Sequence, residues 1–475
     1  MLVSSVMQMK WLLISIAAGA LVCAACSTPA VRTDAVQPSL PAAFEQAAPG
    51  GGDAWPRPGW YRAFGSEELS ALEDEAARGN LDRAAAQARV QQALARARAA
   101  GAARLPSVDF GADVTRVTGR TGGESARETD WSALLSASYE LDFWGRNAAL
   151  GRSARWSTLA SRAEADTVAL TTSAAVADTY FQVLSSRERL DIARSNLRIA
   201  QDVLSVVQAR FDAGAVGAME LAAQRAAVAN ARLVIPALEQ VEGEARATLA
   251  LLLGRVAQGF EVNGTLLATL AVPEVAAGLP SELLRRRPDV AAAEYALQSA
   301  HADLQVARAS MFPSITLTLA GGMQNPAVQA AVTTLAGTGP AFSATAGVVQ
   351  SIFDGGRRRA VRDEARAREQ ELLATYRSAV LASLKDTQDA LSAVSHLQGQ
   401  RDLQQENLDQ CERAFAAAQA RFRAGSGDFL NVLDSQRSLQ AARDQLSQYR
   451  LARLRSVINL YKALGGGWQQ SAAAP

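Results

Sequence analysis

The sequence predicts a mixed fold in which membrane-type β-strands join very long α-helices, and in which this unit occurs twice. Three observations predict it. Segments of the two halves match in the same order, four stretches alternate apolar and polar residues, and two long stretches lack proline. Each unit is therefore expected to run as helix, strand, loop, strand, very long helix, tight turn and returning helix.

The first residues have the pattern of a bacterial secretory signal. Lys10 is the only charge, residues 11–22 are apolar, and small residues follow. The sequence LVCAACS, which contains Cys26, resembles a lipobox, in which the cysteine after the cleavage site is acylated. We therefore predict a signal peptide over 1–25 and a lipid-anchored segment over 26–65. Acyl and diacylglycerol chains on Cys26 would be its only covalent group, and no cofactor is expected. The alternative is a plain secretion signal with an incidental cysteine.

Composition narrows the class of protein. The 475 residues include 48 Lys and Arg against 47 Asp and Glu, so no basic surface for nucleic acid is expected. Only Cys411 remains outside the leader, and a single cysteine cannot form an internal disulfide. No second apolar run of about eighteen residues follows the leader. The mature chain is therefore either soluble or a membrane β-barrel, whose alternating strands escape hydropathy scans.

Internal duplication is the most informative feature. Residues 81–107 and 288–314 have equal length, and both end in Pro-Ser after a helical pattern rich in alanine. The motif FWGR at 143–146 matches FDGG at 353–356, and ARFDAG at 209–214 matches ARFRAG at 420–425. Three pairs in the same order indicate two copies of one unit. We place the first repeat at 66–279, the second at 280–468 and a tail at 469–475.

Four stretches alternate apolar and polar residues as half-exposed strands do. In 131–143 the odd positions are apolar and the even ones are almost all polar. The other strands are predicted at 108–118, 315–321 and 342–353, with surface loops at 119–130 and 322–340. Each strand approaches the length that crosses a bilayer obliquely, although a soluble sandwich is an alternative. Four strands cannot close a membrane barrel, so several chains must pool theirs.

Very long helices follow the second strand of each unit. Proline is absent from Gly145 to Phe211 and from Gly356 to Arg423, which predicts helices of roughly 100 Å each. Glycine-containing turns then end both helices, because glycine tolerates a left-handed backbone at a helix C-terminus. The two tips should lie side by side. They comprise Gly214, Ala215, Val216 and Gly217 in the first repeat, and Gly425, Ser426 and Gly427 in the second.

This layout resembles the TolC-like outer-membrane efflux factors, specifically the OprM-like lipoprotein branch. The resemblance covers Cys26 to Trp468. Its motifs are LPS at 105–107, YELDFWGR at 139–146, RRRPDV at 285–290, FDGG at 353–356 and RFRAGSGDFLNVLDSQRSL from Arg421. It implies a homotrimer in the cell outer membrane. Twelve pooled strands would form one β-barrel, continuous with a long periplasmic α-helical barrel.

The same resemblance implies the function. The trimer would be a passive exit duct for drugs or other toxic small molecules. A proton-driven inner-membrane transporter would deliver them through a periplasmic adaptor that contacts the tips. Leu430 and Asp434 match the positions of an apolar and an acidic constriction at the periplasmic entrance. Asn431 stands where the family often has a second acid, so the acidic ring would be weaker. Alternatively, Leu430 packs in the helix seam and Asp434 is a solvated charge.

Other functions have less support in the sequence. An enzyme is not indicated, because there is no Cys/His cluster for a metal, no phosphate-binding glycine loop and no GxSxG motif. His301 and His396 are interpreted as surface or lumen residues, and Arg285-Arg286-Arg287 as a solvated turn. A periplasmic coiled-coil lipoprotein without a pore is one alternative. A duct for type I protein secretion or metal efflux is another, although no methionine or histidine ladder is present.

Overall fold

The computed structural model describes residues 56–121, 124–264, 267–273, 283, 285–324 and 341–469. The predicted signal peptide, Cys26, most of the loop at 322–340 and most of the tail therefore lie outside the described residues. Two short 3₁₀ segments occur at Trp60–Phe64 and Leu267–Thr269. The strands are β1 (Ser107–Thr121), β2 (Glu124–Glu140), β3 (Ser314–Gln324) and β4 (Ala341–Val349). The α-helices are α1 (Glu67–Gly79), α2 (Leu81–Ala102), α3 (Arg146–Asp212), α4 (Ala218–Leu252), α5 (Pro288–Ala309), α6 (Arg357–Arg423) and α7 (Phe429–Ala463).

Helix lengths repeat between the two halves of the chain. Helices α2 and α5 each have 22 residues, α3 and α6 each have 67, and α4 and α7 each have 35. Among the described residues, β1 and β2 have 15 and 17 residues, and β3 and β4 have 11 and 9. The helical part of the duplication is thus strict.

The strand ends differ from the sequence prediction. Strand β2 ends at Glu140 rather than at residue 143, because the Asp142 carboxylate accepts the N–H groups of Asn147 (2.9 Å) and Ala148 (2.7 Å). Asp354 likewise accepts from Gly356 N, so β4 ends at Val349 rather than at residue 353. Both aspartates cap the long helix that follows. The first hairpin is also longer than predicted, and its strands occupy much of the expected loop at 119–130.

The helices form a layer around α3. Helices α2, α4, α5 and α7 all pack against α3, whereas α6 packs mainly against α5 and α7. The largest core cluster lies where α1 and the Trp60 segment cover α3 and α7. There the Trp60 and Tyr461 rings stack with centroids 5.0 Å apart. Helices α4 and α6 therefore lie at the borders of the layer. No helix in the described part of the chain is long and apolar enough to cross a membrane.

The arginine triplet before α5 begins as the turn that the sequence indicated, with Arg285 exposed, but its third residue is buried. Arg287 is only 9% exposed and forms ion pairs with Asp289 (2.6 Å) and Asp386 (3.2 Å). Its guanidinium also donates to the carbonyl oxygens of Ser383 and Ala463. Desolvation opposes the charge of Arg287, but the two carboxylates raise its pKa; burial likewise opposes the charge of Asp289, but the Arg287 guanidinium lowers the pKa of that carboxyl. Arg287 therefore joins the start of α5 to α6 and to the end of α7.

Candidate functional site

The four strands form one antiparallel sheet in the order β1-β2-β3-β4. The register places Phe110 opposite Leu135 and Tyr139 opposite Leu317. Directly opposed residues share a face of the sheet. Most of the large apolar residues of the four strands therefore lie on one face, called here the apolar face. Its members include Val108, Phe110, Val114, Trp131, Leu135, Tyr139, Leu317, Leu319, Met323, Phe342 and Val348.

The opposite surface, called here the polar face, carries mostly serine, threonine and acidic residues. Ser138 stands opposite Thr318, which in turn stands opposite Thr345. Asp113 and Ser132 face each other across the first hairpin, and their side chains are hydrogen-bonded. The alternation predicted from the sequence is thus maintained through most of the sheet, with Leu134 and Val349 on the polar face and Arg116 on the apolar face as exceptions. One face suits lipid and the other suits water.

The apolar face is uncovered in a single chain. Phe110 is 72% exposed, Leu135 is 55% exposed and Phe342 is 82% exposed. The outermost strands β1 and β4 each pair with one neighbour among the described residues. An isolated soluble domain rarely leaves so large an apolar surface and two sheet edges unprotected.

The two helical tips have the same backbone geometry. In the first, Gly214 has φ +71° and Ala215 N donates to Arg210 O at 2.8 Å. In the second, Gly425 has φ +80° and Ser426 N donates to Arg421 O at 3.0 Å. These bonds satisfy carbonyl groups that the helix end leaves free, and the positive φ explains the glycine.

The tips lie side by side. The Arg210 guanidinium of the first tip stacks over the Phe422 ring of the second, 4.3 Å from its centroid. Phe422 also contacts Phe429, with ring centroids 6.0 Å apart. Val203, Val207, Leu221 and Phe415 complete the apolar cluster beneath them. Packing between the repeats therefore fixes the relative position of the two turns.

Leu430 and Asp434 both lie on the exposed side of α7, Leu430 at its start and Asp434 about one turn further along. Leu430 is 59% exposed, and its neighbours Phe429, Val432 and Leu433 are the buried ones. Packing of Leu430 in the helix seam of its own chain is thus excluded. Asn431 and Asp434 are exposed on the same side.

Several buried polar groups were missed by sequence reasoning. His301 is half-buried rather than a surface residue, and its Nδ1 lies 2.6 Å from Glu369 Oε1. His396 is exposed. Glu73 on α1 is 3% exposed, and burial raises its pKa to about 8, with Asp74 adding to the rise and Ser173 and Arg83 opposing it. No local motif distinguishes such residues, since their partners lie far away in the sequence.

These features define a chain that combines a sheet with one exposed apolar face and a layer of very long helices. The chain belongs to the outer membrane efflux protein family, whose model matches residues 72–255 and 279–466. The family consists of transport proteins and not of enzymes. The protein is thus an efflux channel of the outer membrane that extends into the periplasm.

Relatives and solved structures agree with this assignment. The chain is 43% identical to the pyoverdine export outer membrane protein OpmQ of Pseudomonas aeruginosa, over 98% of both chains. It is 32% identical to the cation efflux system protein CusC of Escherichia coli O157:H7, over 88% of this chain and 90% of that one. The outer-membrane channel OprN superposes with a TM-score of 0.86 at 26% identity, covering 94% of this chain and all of the other. The open-state MtrE channel of Neisseria gonorrhoeae gives a TM-score of 0.81 at 27% identity, covering 92% and 98%.

Proposed function

We propose that three copies of this chain form the passive exit duct of a tripartite efflux system. The proposal rests on one observation: both the sheet and the helical layer of this duplicated chain end in elements that lack a neighbour on their outer side among the described residues. Strands β1 and β4 are outermost in the sheet, and helices α4 and α6 border the helical layer. Closing both borders with further copies pairs the strand edges and buries the helix faces, as a bilayer requires.

Contacts between the repeats indicate how copies would join. Within the chain, β2 of the first repeat pairs with β3 of the second. Helix α3 of the first repeat packs against α5 and α7 of the second. Applied to the next copy, the same contacts pair β4 with its β1 and pack α6 against its α2 and α4. Three copies would then supply twelve strands in one barrel and a continuous helical cylinder.

Exposed apolar residues on α6 support this docking. Val361, Leu381 and Leu403 are 46%, 55% and 66% exposed. Helices α3 and α6 begin at Arg146 and Arg357, so the corresponding positions in α3 are Leu150, Leu170 and Ile192. All three are half-buried. A groove of about 640 Å³ around Leu381, lined by Gln370, Leu373, Arg377 and Ser378 among others, is where the next copy would pack.

The periplasmic partners would meet the duct at its tips. We propose that a periplasmic adaptor contacts Gly214 to Gly217 and Gly425 to Gly427, and that it connects the duct to an inner-membrane transporter. Leu430 and Asp434 would form stacked rings that restrict the entrance, since both are exposed one helical turn apart. Asp434 carboxylates brought together in a narrow pore would attract cations.

The gate proposal is tested by conductance of purified trimers in planar bilayers. Replacing Leu430 and Asp434 by alanine together should raise single-channel conductance and weaken block by multivalent cations. Met219 has the corresponding position in α4 and is 72% exposed, so Met219→Ala is the matched control. A double variant with the conductance and cation block of the parent would place the gate elsewhere.

The exported substrate is proposed to be a small organic molecule of the kind that OpmQ exports. Relatives named for pyoverdine export are 42% and 43% identical, whereas those named for cation efflux are 31% to 32% identical. Expression of this chain in a Pseudomonas aeruginosa strain that lacks OpmQ should restore pyoverdine in the medium. If pyoverdine export stays deficient while an Escherichia coli strain lacking CusC regains metal tolerance, cation efflux is the better assignment.

Lipid anchoring is proposed at Cys26. Mass spectrometry of the mature protein should find Cys26 as its first residue, with acyl and diacylglycerol chains attached. Cys26→Ala should impair targeting more than folding, because the barrel itself holds the trimer in the membrane. A mature protein that begins at another residue without lipid would overturn this assignment.

A further inference from the structure

A cavity of about 440 Å³ lies where the sheet meets the long helices. Its walls come from the end of β2, the end of α5 with the start of β3, the end of β4 and the first turns of α3 and α6. Three arginines line it: Arg146, Arg357 and Arg358. None of these residues belongs to the tips or to the proposed gate.

The cavity opens on the polar side of the sheet. Glu140 stands opposite Thr316, and Ser314 stands opposite Val349, so Glu140, Ser314 and Val349 all belong to the polar face by register. All three line the cavity. In the proposed trimer this face surrounds the lumen, and three such cavities would lie in a ring at the junction of barrel and helices.

The three arginines are matched in number by the carboxylates of Glu140, Asp142 and Asp354, but the hydrogen-bond donors of the arginines are only partly used. Arg146 forms a 2.7 Å ion pair with Glu140, and Asp142 is occupied by the N–H groups at the start of α3. The guanidinium of Arg357 has no partner among the described residues. That of Arg358 reaches Asp354 only at 3.7 Å, and its Nη1 is buried without a hydrogen-bond partner. Two guanidinium groups therefore have unused donors here.

The remaining walls favour an organic anion over a hydrated inorganic ion. Trp144 and Phe312 line the cavity and stack with centroids 4.7 Å apart. Helices α3 and α6 begin at the cavity, where Asp142 and Asp354 cap them, and α5 ends there, so anion binding would depend on the arginine donors and not on helix dipoles. Arginine suits carboxylate recognition because its planar donors match two carboxylate oxygens.

We propose that this cavity binds the carboxylate groups of small aromatic or otherwise apolar organic anions as they pass along the lumen. The inference rests on the proposed function, because it takes the polar face as the lumen wall. It names the chemical class of solute that would pause at the junction before leaving through the barrel.

The experiment uses the full-length protein in neutral detergent and trimesate, a benzene with three carboxylates, as the probe. Isothermal titration should detect trimesate binding that weakens with added salt. Arg357→Gln removes an exposed, unpaired guanidinium, and Arg358→Gln removes the buried donor. Each should raise the dissociation constant by about tenfold, as loss of a charge-assisted hydrogen bond does. Arg359→Gln is the matched control, since Arg359 is exposed and does not line the cavity.

Three results would overturn the proposal. One is the absence of trimesate binding to the parent protein, and another is equal weakening by Arg357→Gln and Arg359→Gln. The third is binding that survives in phosphatidylcholine nanodiscs but disappears in phosphatidylglycerol nanodiscs, which would make the cavity a lipid headgroup site. Binding is measured without ion flow, so these outcomes are separate from a failure of the trimer to conduct, which would contradict the proposed function instead.

Discussion

In the first repeat the long helix α3 is enclosed by helices of both repeats, whereas in the second the long helix α6 borders the protomer. Both have 67 residues and both begin after a glycine with positive φ. Yet Val176, Phe181 and Val203 are buried in α3, while α6 exposes Leu381 and Leu403. The returning helices are reversed, because α7 packs inside the layer and α4 lies at its border.

This difference teaches that duplication copied the backbone but not the environment. In the first repeat the long helix α3 is enclosed and the returning helix α4 lies at the border. In the second repeat the returning helix α7 is enclosed and the long helix α6 lies at the border. A chain with two such units leaves one border open at each end, and a ring of copies would close both borders. The comparison can therefore be tested by making the same change in each repeat.

The largest effect is expected from arginine at corresponding positions of α3 and α6. Leu381→Arg should abolish trimer formation while leaving the helicity of the chain intact, because it places a charge at the junction between copies. An uncompensated buried charge costs about 3–5 kcal/mol. Leu170→Arg should instead destabilise the protomer itself. Native gels and circular dichroism in urea distinguish the two outcomes.

Leu381→Met is the control, since it keeps an apolar side chain of similar volume. If Leu381→Arg formed normal trimers, the contacts between copies would not reproduce the contacts that join the two repeats within one chain.

A smaller effect is expected in the sheet, with one pair of variants in each repeat. Leu135→Arg and Leu317→Arg place a charge on the apolar face and should cost about 2–4 kcal/mol each near the bilayer midplane. Ser136→Arg and Thr316→Arg lie on the polar face and should be tolerated. Urea titration of refolding into liposomes measures the difference. If the two apolar-face variants assemble normally and the two polar-face variants do not, the assignment of the two faces is inverted.

Burial of the Glu73 side chain, on α1 of the first repeat, makes the stability of the fold depend on pH. Burial raises the pKa of Glu73 from 4.5 to about 8, so the folded chain binds a proton that the unfolded chain releases between these values. Stability should fall as pH rises through this window, by up to about 1.4 kcal/mol per pH unit for one proton. Glu73→Gln should remove this component, so its Tm advantage over the parent should widen from pH 5 to pH 8. A constant Tm difference would mean that Glu73 is ionised in the fold.

The smallest effect is expected at the tips, where the two repeats begin their returning helices differently. Asp428 caps α7 through Leu430 N at 3.1 Å, whereas Glu220 of α4 reaches back to Gly217 N at 3.0 Å. Asp428→Ala should lower the opening free energy of the second tip by about 1 kcal/mol, and Glu220→Ala should affect only the first. Amide hydrogen exchange at each tip measures this. Equal acceleration at both tips would mean that they open as one unit.

Much of the fold could be predicted from the sequence because it depends on local signals. Proline-free stretches ending in glycine gave the long helices to within a residue or two of their observed ends. Alternation gave the four strands and the two faces. It failed at the strand ends, where Leu141 and Phe143 continue the pattern but Asp142 already caps α3.

Residues defined by distant partners could not be predicted. Arg287 resembles a solvated turn residue until the carbonyl groups of Ser383 and Ala463, far away in sequence, surround it. The cavity with Arg357 and Arg358 likewise exists only because β2, β3 and β4 end near one another. Sequence patterns report which face of an element is apolar, but not which elements meet at its end.

The number of chains in the assembled protein tests the account most directly. Native mass spectrometry of the full-length protein, released from neutral detergent, should find three copies and no stable monomer or dimer. Three copies supply the twelve strands that close the sheet and satisfy both helical borders at once. A stable monomer, or an open series of larger species, would contradict the claim that the two repeats are completed by closure of a three-membered ring.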